Sequence, residues 1–131
     1  MISVKQPFAW AIASGRKKIE NRTWQTPYRG VVYIHASGAF DRKGADWLAK
    51  NFRIKMPADE PRGAIVAVAE LTDVVTRRGA KRFGRWFTGP YGFVLSDVRI
   101  LRSPVKTLGK LGLFRPSPSL KRSVEKQLRR R

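Results

Sequence analysis

Cysteine is absent from the 131-residue chain, and histidine occurs once, as His35. The first absence excludes disulfides and thiol catalysis, and the two together exclude a zinc site of the usual Cys/His kind. Acidic residues are scarce as well: nine Asp and Glu stand against 28 Lys and Arg. Glu20, Glu70, Asp73 and Asp97 are the carboxylates that could hold a magnesium-type ion. Glu70 and Asp73 are an odd number of residues apart, so on one strand they would face opposite ways. Neither a metal nor another cofactor is therefore expected. No apolar run approaches the roughly 18 residues of a membrane span. In the opening MISVKQPFAW, Gln6 and Pro7 interrupt the apolar stretch that a signal peptide requires. The expectation is a cytoplasmic chain with no membrane partner.

What the chain has in excess is positive charge, a formal +19. Residues 115–131 hold seven Lys/Arg and one Glu, so most of the excess lies on the body of the protein. A folded body this basic repels itself, and a polyanion relieves the repulsion. Nucleic acid is the expected partner, RNA before DNA. The apolar fraction, 42%, is that of an ordinary globular protein with one modest core.

Residues 2–4 can begin a strand, and Pro7 suits the first turn of an apolar helix over 8–14 with Gly15 as its C-cap. Residues 16–30 read as an extended loop. Residues 31–36 form a strand with Val31, Tyr33 and His35 on one face. Asp41 starts a helix whose apolar stripe is Ala45, Leu48, Ala49 and Phe52. Residues 63–75 and 91–101 are long strands separated by a basic segment that carries Trp86 and Phe87. Residues 105–114 look like a loop. Ser117 and Pro118 open a terminal helix in which Leu120, Val124 and Leu128 recur every four residues. The class is α+β: a small mixed β-barrel, a few peripheral helices and a basic C-terminal helix. Residues 1–114 form the domain, and residues 115–131 form a basic appendage, helical or disordered. A monomer is expected.

One segment is more specific. It carries Gln6-Pro7-Phe8-Ala9, then Gly15, Lys17, Glu20 and Arg22 in the spacing G-x-K-x-x-E-x-R, then Trp24, Arg29-Gly30 and Ile34-His35-Ala36. This resembles the ASCH family, the activating-signal-cointegrator homology domains of the PUA-like barrel superfamily. Phe8 stands in the tryptophan's place in the family's Q-P-W-A opening. Farther on, Gly89-Pro90-Tyr91-Gly92-Phe93 and Gly109-Lys110-Leu111-Gly112-Leu113 are similar to the last strand and closing turn of small bacterial and phage members. The resemblance spans residues 2–114. It implies an RNA-binding module with a cleft between the barrel and the first helix. Among small members, one type cleaves single-stranded RNA and another deacylates a modified cytidine. The deacylase type carries a nucleophilic threonine three residues after the motif lysine. Here that place is held by Glu20, which would have to act differently, as a general base on water.

In such a cleft Lys17 and Arg22 would hold a phosphate, the arginine as a fork and the lysine as a point charge. Glu20 could accept from a base edge or a ribose hydroxyl, and Trp24 or Tyr91 could stack on a base. Trp86, flanked by Arg82 and Arg85, offers a second platform, whereas Trp10 and Trp47 suit the core. His35 suits a packed, hydrogen-bonded place; with Ser37 it would line a cleft at the end of its strand. Lys5 and Gln6 complete the nucleic-acid-binding set. If the cleft is catalytic, Lys17, Glu20 and Tyr91 are the candidate groups. The plain structural alternative is an ion pair among Lys17, Glu20 and Arg22 that staples the segment to the barrel. Three functions follow: a binding module, a small metal-independent ribonuclease or nucleoside hydrolase, and an adaptor that contacts the transcription or translation machinery.

Overall fold

The first apolar stretch divides at Pro7: Ile2–Gln6 is strand β1 and Phe8–Ala13 is helix α1. A computed structural model describes residues 1–129, and Arg130 and Arg131 of the basic tail lie outside the described residues. Gly15, at φ +82°, ends the helical turn, its N–H bonding the Ile12 carbonyl. There follow β2 (Ile19–Arg22), β3 (Gly30–Phe40), α2 (Arg42–Phe52), β4 (Ala64–Val75), β5 (Tyr91–Lys106) and α3 (Pro118–Arg129). Two short 3-10 turns, Arg77–Gly79 and Lys81–Trp86, lead from β4 toward β5.

The five strands form one mixed sheet in the order β1-β3-β4-β5-β2. β1 runs parallel to β3, and the other pairs are antiparallel. Register shifts interrupt the long β4–β5 ladder at three places. Each shift bends the strands and adds twist, and the sheet curls into a half-barrel with β1 and β2 as its two edges. Its inner face packs on α1: Ala9 and Ile12 meet Val4, Ile34, Leu71 and Phe93. Its outer face packs on α3, where Val124 is fully buried against a cluster of Tyr33, Ile65, Val68 and Leu101. Two covered faces explain why Ala64 through Ala69 are buried without a break. Gln127 also ties α3 to β5, accepting from the Ser103 N–H at 3.0 Å and donating to its carbonyl at 2.7 Å. No helix among the described residues is long and apolar enough to cross a membrane.

The mixed sheet with peripheral helices is the expected class, but four local features differ from expectation. Residues 16–30 contain strand β2 rather than an uninterrupted loop. β3 and β5 run on to Phe40 and Lys106, the bulges absorbing the change of direction. In α2 the buried positions are Gly44 and Leu48, while Ala49 is exposed. Residues 113–114 are tied to the N-terminus: Leu113 bridges Ile2, and Phe114 exchanges hydrogen bonds with Met1.

Candidate nucleic-acid interface

β2 is Ile19-Glu20-Asn21-Arg22, a strand with one β-former. Alternation sends Ile19 and Asn21 to one side and Glu20 and Arg22 to the other. Ile19 is buried among Val75, Phe87 and Val94. A Cβ on Gly92 would lie 2.2 Å from Ile19 Cδ1, so the bare glycine is what lets β2 lie flat on β5. Asn21 donates to the Trp86 carbonyl at 2.9 Å and accepts from the Thr88 and Gly89 amides at 2.9 and 3.3 Å. It thereby clamps the basic 3-10 segment beside the strand.

On the other side, Glu20 and Arg22 stand opposite Phe93 and Tyr91 in the ladder. Lys17 is placed by its backbone, whose N–H bonds the Ala11 carbonyl at the end of α1. Its Nζ lies 2.9 Å from Glu20 Oε1 and 5.1 Å from the centre of the Phe8 ring. Arg22 Nη2 lies 3.0 Å from Glu20 Oε2 and donates to the Ser3 carbonyl at 2.5 Å. The side chains are 5%, 10% and 20% exposed for Lys17, Glu20 and Arg22. One carboxylate thus bridges two cations and leaves a single net positive charge. The Arg22–Ser3 bond also links β2 to β1, closing by a side chain the gap that no ladder closes. Arg22 Nε is buried with no hydrogen-bond partner, a donor left over in a group otherwise held rigidly.

A family model for the ASCH domain matches residues 2–94, a span that contains this whole network and Tyr91. The chain belongs to the ASCH family. Human activating signal cointegrator 1 is 24% identical over 118 residues, which is 80% of this chain and 20% of that protein. The mouse protein of the same name is 27% identical over 84 residues, 59% of this chain and 14% of its own length. The chain therefore spans a fifth or less of the curated relatives it matches. Among solved structures, ASCH from Zymomonas mobilis superposes with a TM-score of 0.55 at 19% identity, covering 93% of this chain and 91% of that one. A mutant form of the same protein gives 0.58 at 20% identity, covering 93% and 94%. These likenesses concern the fold.

Within this ASCH fold, Lys17, Glu20, Arg22 and Tyr91 share one face, and Trp24 packs edge-on against Phe93, their ring centres 5.1 Å apart, on that same side. Other residues expected at the site lie elsewhere. Gln6 is 1% exposed; it accepts from the Trp10 N–H and donates to the Pro61 carbonyl, fixing the start of α1. His35 is also 1% exposed, on the outer face, bonded to Ser3 Oγ at 3.0 Å and to the Thr107 carbonyl at 2.7 Å. Ser37 is half-buried, its hydroxyl turned to the Ala39 carbonyl, and Lys5 is exposed on edge strand β1. Arg82 and Arg85 are exposed on the basic 3-10 segment. Trp86 stacks on Phe52 at 4.0 Å, nearly parallel, and meets Trp47 edge-on at 6.0 Å. Trp47 reaches Phe8 at 6.3 Å, so a run of aromatic rings leads from the basic segment to Lys17. Sequence reasoning missed Ser3 and Phe8. Phe8 was marked only by its place in the Q-P-F-A opening, and nothing in the sequence marks the Ser3 carbonyl.

Proposed function

We propose that this ASCH chain binds nucleic acid, RNA in preference to DNA, holding a nucleotide or its phosphate at the Lys17–Glu20–Arg22 network between α1 and the sheet. The distribution of charge supports this reading most. Among the described residues, Lys17, Arg22, Arg29 and Arg99 are the only Lys or Arg side chains within 4.0 Å of a carboxylate. Arg77, Arg78, Lys81, Arg82 and Arg85 are exposed on the segment that Asn21 holds against β2. Glu20 and Ser3 hold the Arg22 guanidinium in one orientation, and the fifth of its side chain that stays exposed is suited to a phosphate or carbonyl oxygen.

The same contacts rank binding ahead of catalysis. Both oxygens of Glu20 are engaged by cations rather than turned toward a water or a substrate hydroxyl. A second reading, a metal-independent hydrolase, draws on the 2.9 Å Lys17–Glu20 pair with Tyr91 on the same face. A third is a contact with a protein of the transcription or translation machinery.

Fluorescence anisotropy with a labelled single-stranded RNA tests the first reading. Lys17→Ala and Arg22→Ala should each weaken binding about tenfold, the equivalent of one charge-assisted hydrogen bond. Melting curves of both variants establish that they are folded. No binding by the parent chain at low salt, or undiminished binding by folded variants, would refute it. RNA that stays intact through a long incubation fits a binding module. Cleavage that disappears in Glu20→Gln would favour the hydrolase.

A further inference from the structure

A groove in the surface lies across the sheet from the Lys17–Glu20–Arg22 network. It encloses about 500 Å³ on the outer face, beside the N-terminal end of α3. Tyr28, Val31, Tyr33 and Phe114 supply its apolar and aromatic walls, and Arg115 and Lys121 stand at its lip. None of its lining residues is acidic. Its walls are fixed. The Tyr28 hydroxyl donates to the Val31 carbonyl at 2.5 Å, and its oxygen lies 3.2 Å from where a Cβ on Gly30 would stand. The Phe114 wall is pinned by paired backbone bonds to Met1, at 2.6 and 3.0 Å. Val31 is 60% and Tyr28 42% exposed, so these surfaces are open to a ligand.

The surrounding charge gives the groove a direction. Past the Val31–Tyr33 ridge lies a second depression that holds Glu70, Asp97 and Glu125 with Arg99. An anion is repelled at that end and drawn to the Arg115–Lys121 end. Burial and the nearby Glu125 raise the Tyr33 phenol, and burial lowers the Met1 amine to about 6. Near neutral pH the floor is therefore uncharged, with unopposed cations at the Arg115–Lys121 end and the carboxylates confined to the other.

We propose that this groove is a second nucleotide site, in which a base of a single-stranded RNA lies against Tyr28 and Phe114 and its phosphate meets Arg115 and Lys121. An aromatic floor with a cationic rim on one side is the pattern that takes an unstacked base together with its backbone. The proposal extends the nucleic-acid reading above to the opposite face of the sheet, so one strand could wrap the molecule or two strands could be held.

The test uses an RNA hexamer carrying 4-thiouridine, crosslinked by near-ultraviolet light and mapped by mass spectrometry, with 5′-AMP titrated separately by NMR. Crosslinks at Tyr28 or Phe114 are expected. Val31→Glu places a carboxylate on the exposed floor without entering the core, and Lys121→Glu inverts the lip. Each should weaken hexamer binding about tenfold, the size of one lost stacking contact, and leave the melting temperature unchanged. Suppose the hexamer binds, crosslinks fall only within residues 17–24 and 77–86, and both variants bind like the parent. The groove is then not a nucleotide site, while the cleft reading stands. If the hexamer binds and crosslinks fall only at Tyr28 and Phe114, with none within residues 17–24, the groove stands and the cleft reading fails; if the hexamer does not bind, both fail even where 5′-AMP shifts the groove resonances.

Discussion

Glu20 is the centre of the buried network with Lys17 and Arg22. It stands where a hydroxyl nucleophile is found in one type of relative that the sequence resembles, and the structure gives both its oxygens to cations. A buried carboxylate between a lysine 5% exposed and an arginine 20% exposed holds two charges that would otherwise be stranded. Glu20→Gln keeps the shape and removes the compensation. The expected cost is about 3 kcal/mol, the low end for breaking a buried pair, because Arg22 retains some solvent. Urea denaturation measures it. A loss below about 1 kcal/mol would place the pair with surface salt bridges and remove its structural role. The motif positions Gly15, Lys17, Glu20 and Arg22 were all legible in the sequence. Their partners were not: the Ser3 carbonyl and the Phe8 ring arrive from β1 and α1 through tertiary packing, which leaves no local pattern. Gln6, polar and near the motif, instead serves buried backbone groups at the start of α1. His35 takes the packed, hydrogen-bonded place that its strand face suggested.

Among the elements, α3 shows how far a pattern alone can be followed. The four-residue spacing of Leu120, Val124 and Leu128 identified a helix with one apolar stripe, but not what that stripe covers. It covers the outer face of the sheet, against Tyr33, Ile65, Val68 and Leu101, as a second core. Val124→Ala should cost about 2 kcal/mol, two buried carbons at roughly 0.8 kcal/mol each plus a small cavity. A thermal or chemical melt that moves by less than about a quarter of that would mean α3 is only loosely attached. β2 marks the reverse limit. Its Glu, Asn and Arg conceal a strand whose stability comes from its neighbour β5 and from the room at Gly92. Propensity cannot see a strand that exists because its partner provides the ladder. Strands β3, β4 and β5, rich in β-formers, were legible, although the ends of β3 beyond Ala36 and of β5 beyond Leu101 depend on bulges and tertiary pairing.

At the scale of the whole molecule, charge dominates. A chain of +19 folds around a small core with its acidic groups spent sparingly. One carboxylate is buried in the Lys17–Arg22 bridge, and the other two close ion pairs among the described residues, Arg29–Asp73 at 4.0 Å and Arg99–Asp97 at 3.7 Å, are on the surface. Such surface pairs add little stability, so most of the positive field remains available to a polyanion. The direct measurement is the dissociation constant for a single-stranded RNA as a function of salt concentration. Cations replaced on the strand by five to eight phosphate contacts would give a log–log slope of the association constant of about −3.5 to −5.6. A slope near zero, or no binding at the lowest salt, would contradict the account.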